Sequence, residues 1–232
     1  EYGVECRDLW TVDAGNKLVG IDASGLELRM LAHYMQDPAY IKTVVEGNSK
    51  DGTDVHTMNQ KAAGLATRDL AKTFIYAFLY GAGYEKIGSI IGGGKKAGGQ
   101  LSRKFLNNTP ALLKLKNRVS RLAELGFMRG MDGRKIWVRS EHAALNTLLQ
   151  GTGAILMKKA LIILHKKLKC GIIKAHFVAN VHDEWQVEVE EEDAERVGRM
   201  GVEAIKEAGL YYNLRCPTSG EYKIGNTWGQ TH

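Results

Sequence analysis

Apolar and polar residues alternate along the chain in patterns that predict strands near both ends and helices between them. Residues 17–22, KLVGID, form a short apolar run that predicts a strand ending at an acid. Residues 26–35 and 68–81 carry apolar side chains at helical spacing. The runs 177–181 and 185–189, FVANV and WQVEV, predict the two strands of a hairpin with His182 and Asp183 at its turn. The fold class indicated is α+β.

Capping and turn residues mark further elements. Asp54 and Thr67 are typical N-cap residues, and each precedes a helical pattern. The Asp132–Gly133 pair predicts a tight turn between two short strands. The glycine-rich segment 92–99 departs from the phosphate-binding loop pattern, so we predict a flexible turn there. Helices are also predicted at roughly 84–91, 100–107, 110–125, 142–168 and 191–209.

Charge indicates a polyanionic partner without establishing one. The 232 residues have a formal net charge of +6, and eleven Lys or Arg residues lie between Lys95 and Lys135 against only two acids. Such a basic segment suits nucleic acid, although a solvated helix face fits it equally well. Three scattered cysteines without CxxC spacing indicate neither a disulfide framework nor a zinc site, and a reducing cytoplasm is expected. No run is expected to be long and apolar enough to cross a membrane.

Two carboxylates are candidates for metal binding. Asp22 ends the first predicted strand, and Asp183 lies at the hairpin turn. If these strands adjoin, the two carboxylates face one another and repel, and a pair of Mg²⁺ ions for phosphoryl transfer would relieve the repulsion. Ala23 would then bring its carbonyl beside the metal. Alternatively, Asp183 only makes the turn, since Asp favours turns.

The helix predicted at 68–81 carries a complementary face. Arg68, Lys72, Tyr76 and Tyr80 recur every four residues, so the first three share one face and Tyr80 lies at its edge. Two cations and two phenol rings can bind a triphosphate and stack on bases. The alternative is an ordinary amphipathic helix. The opposite side carries enough apolar residues for a core, namely Leu70, Phe74, Ile75, Phe78 and Leu79.

Four segments resemble one family in sequence and order. DASGLELR (22–29), RDLAKTFIYAFLYGAGYEKIG (68–88) and VHDEWQV (181–187) resemble motifs A, B and C of the family A DNA polymerases, and DGRKIWVRSEHAALNTLLQ (132–150) matches the same group. The residues in these segments are most similar to those of the replicative polymerases of short-tailed bacteriophages. The resemblance implies a right-hand polymerase fold, with an antiparallel palm sheet, its helices and a mostly helical fingers subdomain.

The resemblance also implies a domain plan. Residues 1–60 would hold the first part of the palm with motif A, residues 61–126 the fingers with motif B, and residues 127–232 the rest of the palm with motif C. A thumb and a 3′→5′ exonuclease domain, which the family carries elsewhere, would be missing. The isolated chain is therefore expected to bind DNA weakly and to be poorly active.

The motif match implies roles around the reacting phosphates. Asp22 and Asp183 would be the catalytic carboxylates that hold two Mg²⁺ ions, with the Ala23 carbonyl beside them. Lys72 would contact the α-phosphate and act as a general acid. Arg68 and His56 would contact the outer phosphates, although His56 could simply be a surface histidine.

Further positions would recognise the nucleotide and the DNA. Glu27 would exclude a ribose 2′-hydroxyl, although it could be a plain acid at a helix start. Tyr76 would pack on the incoming sugar and base, and Tyr80 would stack at the templating position. Glu184 would be secondary. DNA contacts are also implied for His182, Asn146 and Gln150, although Gln150 could instead make a helix contact.

The implied function is template-directed addition of deoxynucleotides to a primer 3′-hydroxyl in phage-type replication. The implied partners are primer–template DNA, deoxynucleoside triphosphates and the missing thumb and exonuclease portion, with no membrane. The implied place is the cytoplasm of an infected bacterium. Alternatives are a non-catalytic DNA- or nucleotide-binding fragment, a two-metal nuclease, and a single-subunit RNA polymerase. Glu27 and the HDE sequence disfavour the RNA polymerase.

Overall fold

The computed structural model describes residues 3–232, except the side chain of Val4. It contains helices and two antiparallel sheets, which confirms the predicted α+β class. The strands are β1 (Asn16–Ala23), β2 (Phe127–Arg129), β3 (Lys135–Trp137), β4 (Ala175–Val181), β5 (Glu184–Glu190) and β6 (Gly220–Gly225). The helices are α1 (Gly3–Asp8), α2 (Leu26–Met35), α3 (Pro38–Glu46), α4 (Val55–Ala63), α5 (Arg68–Leu79), α6 (Tyr84–Ser89), α7 (Lys95–Asn108), α8 (Pro110–Ala123), α9 (Ala144–Cys170), α10 (Ala194–Tyr211) and α11 (Trp228–Thr231).

The chain divides into two compact units. The first unit comprises Glu1–Leu26 and Gly153–His232, and the second comprises Glu27–Thr152. One boundary falls near the start of α2 and the other inside α9. The predicted palm and fingers boundaries near residues 60 and 126 lie elsewhere in the sequence, and that subdomain plan stays a prediction.

The first unit is built on a four-stranded sheet in the order β4-β5-β1-β6. Its central strands β1 and β5 are buried along most of their length, and on one face Ile21 pairs with Trp185 and Val19 with Val187. Helix α10 packs on this face, with Gly201 against Ile21. The predicted hairpin is confirmed as β4 and β5, with a turn at residues 182–183.

The second unit is mostly helical around an aromatic core. Phe74, Phe78 and Phe105 lie with ring centroids 5.1–5.8 Å apart, in edge or tilted contacts. Both predicted caps are confirmed: the Asp54 carboxylate accepts from backbone amides of α4, and the Thr67 hydroxyl accepts from Leu70 in α5. Helix α5 is therefore fixed at its start by a cap and along its length by core packing.

Two local expectations were wrong. The segment 92–99 is not wholly a flexible turn, because α7 begins at Lys95. Gly98 lies so close to the Tyr84 carbonyl that a Cβ would clash with it, so the glycine serves helix packing. Leu70, assigned to the core side of α5, is only half-buried.

The helical segment Glu141–Cys170 also differs from expectation. Its most apolar window has a mean hydropathy of 1.4, so the segment is long and apolar enough to span a membrane by length and composition. Half of that window is buried inside the protein. Burial in a folded core gives the same composition, so this helix is weak evidence for a membrane span.

Candidate active site

The turn between β4 and β5 brings acids from two strands together. The Ala23 amide donates to the Asp183 carbonyl at 3.1 Å, which ties the end of β1 to the turn. His182 is exposed and has a φ of 54°, a left-handed conformation that tightens the turn. The strand register places Glu184 directly opposite Asp22. The expectation that Asp22 faces Asp183 therefore needs a correction of one residue, although the two acids are neighbours.

Asp22 carries the electrostatic signature of this cluster. Burial, together with the charges of Asp183, Glu184 and Glu221, raises the pKa of Asp22 to about 6. His232 partly opposes this rise. No Lys or Arg of the described residues forms an ion pair with Asp22. A cation bound at the Asp22 carboxylate would therefore stabilise its charged form.

Glu184 lies in a different environment from Asp22. It is 7% exposed, and its carboxylate accepts hydrogen bonds from Gln186 Nε2, Trp228 Nε1 and His232 Nδ1 at 2.5–2.7 Å. Burial alone would raise the pKa of Glu184, but these hydrogen bonds outweigh it and lower the pKa below its ordinary value. Glu184 is thus an ionised anchor whose two oxygens already have partners. Sequence reasoning missed this ring of donors.

The donor set fits an open magnesium site. Among residues 3–232, no three His, Cys, Asp or Glu side chains form a closed metal-binding cluster. Mg²⁺ characteristically takes one or two carboxylates and completes its shell with water and substrate phosphates. Asp22 and Asp183 supply that number, and the raised pKa of Asp22 reflects burial and a repulsion between carboxylates, both of which a bound cation would offset. The residues present therefore fit this ion.

The predicted cationic face of α5 contains an internal ion pair. Arg68 Nη2 lies 2.6 Å from Asp54 Oδ2, and Arg68 Nε lies 3.0 Å from the same oxygen. Burial would raise the pKa of the Asp54 carboxyl, but hydrogen bonds from Arg68 and Thr57 hold that pKa well below its usual range. Lys72 is exposed. The charge of Arg68 is thus partly neutralised by Asp54, the N-cap residue of α4. The sequence pattern did not predict this ion pair.

His56 is buried beside this face, not a surface histidine. It is 8% exposed, and its ring centroid lies 6.0 Å from that of Tyr76. Its Nδ1 is buried and has no hydrogen-bond partner in the described part of the chain. Burial and the charges of Arg68 and Lys72 lower the pKa of His56, while Asp54 raises it. A buried polar atom without a partner requires an explanation, and a ligand that accepts a hydrogen bond from an Nδ1–H of His56 would supply one.

The aromatic part of the face forms a short stack. Tyr76 and Tyr80 have ring centroids 6.4 Å apart and an interplanar angle of 24°. The Tyr80 hydroxyl donates to Glu27 Oε1 at 3.2 Å. Glu27, predicted to exclude a ribose 2′-hydroxyl, and Tyr80, predicted to stack at the templating position, therefore contact one another. Sequence spacing alone could not indicate this contact.

Asn146 and Gln150 lie in the first two turns of α9, four residues apart and therefore on one helix face. Gln150 is exposed and Asn146 is half-buried. Both side chains can therefore meet a partner from solvent, and their DNA-contacting role stays a prediction.

Comparison with known proteins gives a consistent relationship. The sequence profile of DNA polymerase family A matches residues 1–230. The chain is 42% identical to the DNA-directed DNA polymerase of Enterobacteria phage T3, over 100% of this chain and 37% of the phage protein. It is 30% identical to DNA polymerase I of Aquifex aeolicus, over 97% of this chain and 41% of that protein. The chain thus spans about two fifths of the length of these relatives.

A solved structure shows the same fold. The POL domain of Pol1 from M. smegmatis, solved in complex with DNA primer-template and dNTP, superposes with a TM-score of 0.85 at 22% identity. The match covers all of this chain and 43% of that chain. With a family profile that spans nearly every residue and the predicted motifs in their expected order, the chain belongs to DNA polymerase family A.

Proposed function

We propose that this chain carries the active-site part of a template-directed DNA polymerase. It would add deoxynucleotides to a primer 3′-hydroxyl by two-metal phosphoryl transfer in phage-type replication. The observation that carries the proposal is the proximity of two acids, Asp22 and Asp183. The amide of Ala23, next to Asp22, donates to the Asp183 backbone carbonyl, and Asp22 has no Lys or Arg ion pair among the described residues. The phage relatives are named DNA-directed DNA polymerases, which supports this reading.

The carboxylates of Asp22 and Asp183, with the Ala23 carbonyl, would hold two Mg²⁺ ions. When bound, the ions would activate the primer hydroxyl and neutralise the charge that develops on the phosphates. Glu184 supports the site in another way. Its donors are Gln186 of β5 and Trp228 and His232 of the C-terminal segment, so it would tie that segment to β5 and act as a positioning residue.

The cationic face of α5 would act on the triphosphate. Lys72 would contact the α-phosphate and give a proton to the departing pyrophosphate. Arg68 and His56 would contact the outer phosphates, and the orphan Nδ1 of His56 offers one such contact. Because Arg68 already binds Asp54, it would share its guanidinium between that carboxylate and the phosphates.

Recognition of the nucleotide and of the DNA would depend on Glu27, on the stacked rings of Tyr76 and Tyr80, and on residues of α9. Glu27, held by the Tyr80 hydroxyl, would exclude a ribose 2′-hydroxyl. Tyr76 would pack on the incoming sugar and base, and Tyr80 would stack at the templating position. The remaining DNA contacts would come from His182 at the primer terminus and from Asn146 and Gln150 in the minor groove.

The whole protein's partners and place are part of the same proposal. They are primer–template DNA, deoxynucleoside triphosphates and a thumb and exonuclease portion, in the cytoplasm of an infected bacterium and without a membrane. The length of the relatives supports the missing portion, since this chain matches only 37–41% of the phage proteins. The grip on duplex DNA would reside there, so the 232 residues alone are expected to extend primers poorly.

Primer extension with Mg²⁺ and the four deoxynucleotides tests the proposal. The chain alone and the chain fused to the part of the T3 polymerase outside the matched region are each compared with an Asp183→Ala control. Extension by the fusion but not by its control is the expected result. Extension by the bare chain would overturn the expected weakness of the fragment. A well-folded but inactive fusion would favour a non-catalytic DNA- or nucleotide-binding fragment.

A further inference from the structure

The β2–β3 ribbon of the second unit has two chemically different faces. Register pairs Met128 with Ile136 on the inner face, where Met128 is 2% exposed. The outer face carries two aromatic rings and two cations in cross-strand pairs: Phe127 with Trp137, and Arg129 with Lys135. A short ribbon of this kind usually exposes polar residues on its solvent side, so an outer face with two aromatic rings is unusual.

Trp137 is the most prominent side chain of this outer face. It is 69% exposed, although its ring lies 5.9 Å from that of Phe127 in an edge contact. Lys135 Nζ lies 4.7 Å from the centroid of Phe127 and 6.0 Å from that of Trp137. The face therefore combines an accessible indole with a cation held next to it.

The charge around the ribbon is almost entirely positive. Residues 125–140 contain four cations and one acid, Asp132. Arg134 Nε binds that carboxylate at 2.6 Å. Burial would raise the pKa of Asp132, but hydrogen bonds from the backbone and side chain of Arg134 outweigh it and lower the pKa. Among the described residues, no carboxylate pairs with Arg129, Lys135 or Arg139. Three cations thus remain available to an anionic partner.

A purely structural role explains only part of this arrangement. A Phe–Trp cross-strand pair stabilises a hairpin by roughly 0.2–1 kcal/mol, which accounts for the ring contact. It does not require the indole to remain 69% exposed or the cations to stand without acids. Exposed aromatic rings beside cations are the usual means of binding single-stranded nucleic acid, where bases stack and phosphates pair.

We propose that the outer face of the β2–β3 ribbon binds single-stranded DNA. The Trp137 indole stacks on a base, and Lys135 and Arg129 bind the phosphates that flank it. This surface goes beyond the proposed polymerase function because it needs no primer terminus, nucleotide or metal ion. It would give the protein a separate contact with unpaired DNA.

Fluorescence anisotropy of a labelled oligodeoxythymidylate of about twelve nucleotides tests the proposal, since such sites cover roughly 4–16 nucleotides. The 232-residue chain is titrated in EDTA, so the result is independent of the metal-dependent primer-extension test. Trp137→Ala should weaken binding by about tenfold, and Trp137→Phe should retain most of it. Lys135→Gln should reduce the slope of log affinity against log salt by about 0.7.

Trp10→Ala is the matched control, because Trp10 is 67% exposed but lies in the first unit, away from the ribbon in sequence. It should bind the oligonucleotide as the unaltered chain does. Equal binding by Trp137→Ala and the unaltered chain would overturn the proposal and favour a protein partner for this face. An equal loss in Trp10→Ala and Trp137→Ala would overturn it too, because the binding would then not depend on the ribbon.

Discussion

The acidic turn of the first unit and the cationic face of the second differ in whether their charged side chains have ion-pair partners. At the turn, burial together with neighbouring carboxylates raises the pKa of Asp22 to about 6, and no Lys or Arg of the described residues pairs with it. On α5, Arg68 already has an acid, Asp54, at 2.6 Å. We infer from this difference that the acidic turn is suited to bind a cation from solvent. The helix face, by contrast, is partly neutralised before any phosphate arrives.

The largest expected effect comes from removing an acid at the turn. In the fused enzyme, Asp183→Asn or Asp22→Asn should reduce primer extension by about a thousandfold or more, because several kcal/mol of charge stabilisation would be lost. Single-turnover extension with Mg²⁺ measures this.

Glu221→Gln provides the matched control, since Glu221 is exposed and also contributes to the raised pKa of Asp22. It should change extension only a few-fold. A loss as large as that of Asp183→Asn would show that general negative charge, not the two proposed ligands, sets the rate.

Glu184 tests whether the turn also contains a structural anchor. Glu184→Ala should destabilise the protein by about 2–4 kcal/mol, because three donors would lose a buried charged acceptor. Urea denaturation followed by circular dichroism measures the free energy of unfolding. Glu221→Ala should cost less than about 0.5 kcal/mol as an exposed site. Similar losses in both variants would contradict the anchor.

Glu27 sharpens the description of the helix face. Glu27→Ala in the fused enzyme should increase ribonucleotide use relative to deoxynucleotide use by about tenfold, which corresponds to about 1.4 kcal/mol of lost discrimination. Competitive incorporation assays give this ratio. Tyr80→Phe, which removes the hydroxyl that Glu27 accepts from, should shift it less. An unchanged ratio of ribonucleotide to deoxynucleotide incorporation in Glu27→Ala would show that Glu27 does not exclude the ribose 2′-hydroxyl.

Asp54 gives the smallest expected effect and a pH dependence. Its pKa is depressed in the folded state, so its stabilisation is present above the unfolded pKa of about 3.9 and is lost as pH falls below it. Asp54→Asn keeps a good N-cap but loses the charge pair with Arg68. It should cost about 1 kcal/mol at pH 7, and the difference should disappear at acid pH.

Urea midpoints between neutral and acid pH measure the Asp54 effect. Asp37→Asn is the control, because Asp37 caps α3 and has no ion pair among the described residues. A pH-independent difference for Asp54→Asn, or an equal one for Asp37→Asn, would contradict the ion-pair explanation.

Local patterns identified the elements and most of the candidate side chains. Asp22 stood out because it ends a strand, Asp183 because it lies at a hairpin turn, and Arg68, Lys72 and Tyr76 because they recur every four residues. Helix caps were also readable, since a cap needs only the residues beside it.

Hydrogen-bond and ion-pair partners that lie far apart in the sequence could not be predicted from it. Asp54 lies 14 residues before Arg68, and Trp228 and His232 lie 44 and 48 residues after Glu184. Their contacts depend on how strands and helices pack, which periodicity does not encode. The segment at 92–99 was misread for a related reason, because its Gly98 serves close packing against α6, not a flexible turn.

Manganese binding to the 232-residue chain, followed by the loss of the free Mn²⁺ signal in electron paramagnetic resonance, tests the acidic turn most directly. The account predicts binding at millimolar Mn²⁺ by the unaltered chain and by Glu221→Gln, and its loss in Asp22→Asn and Asp183→Asn. Equal binding by all four proteins, or none by the unaltered chain, would contradict a metal site at this turn.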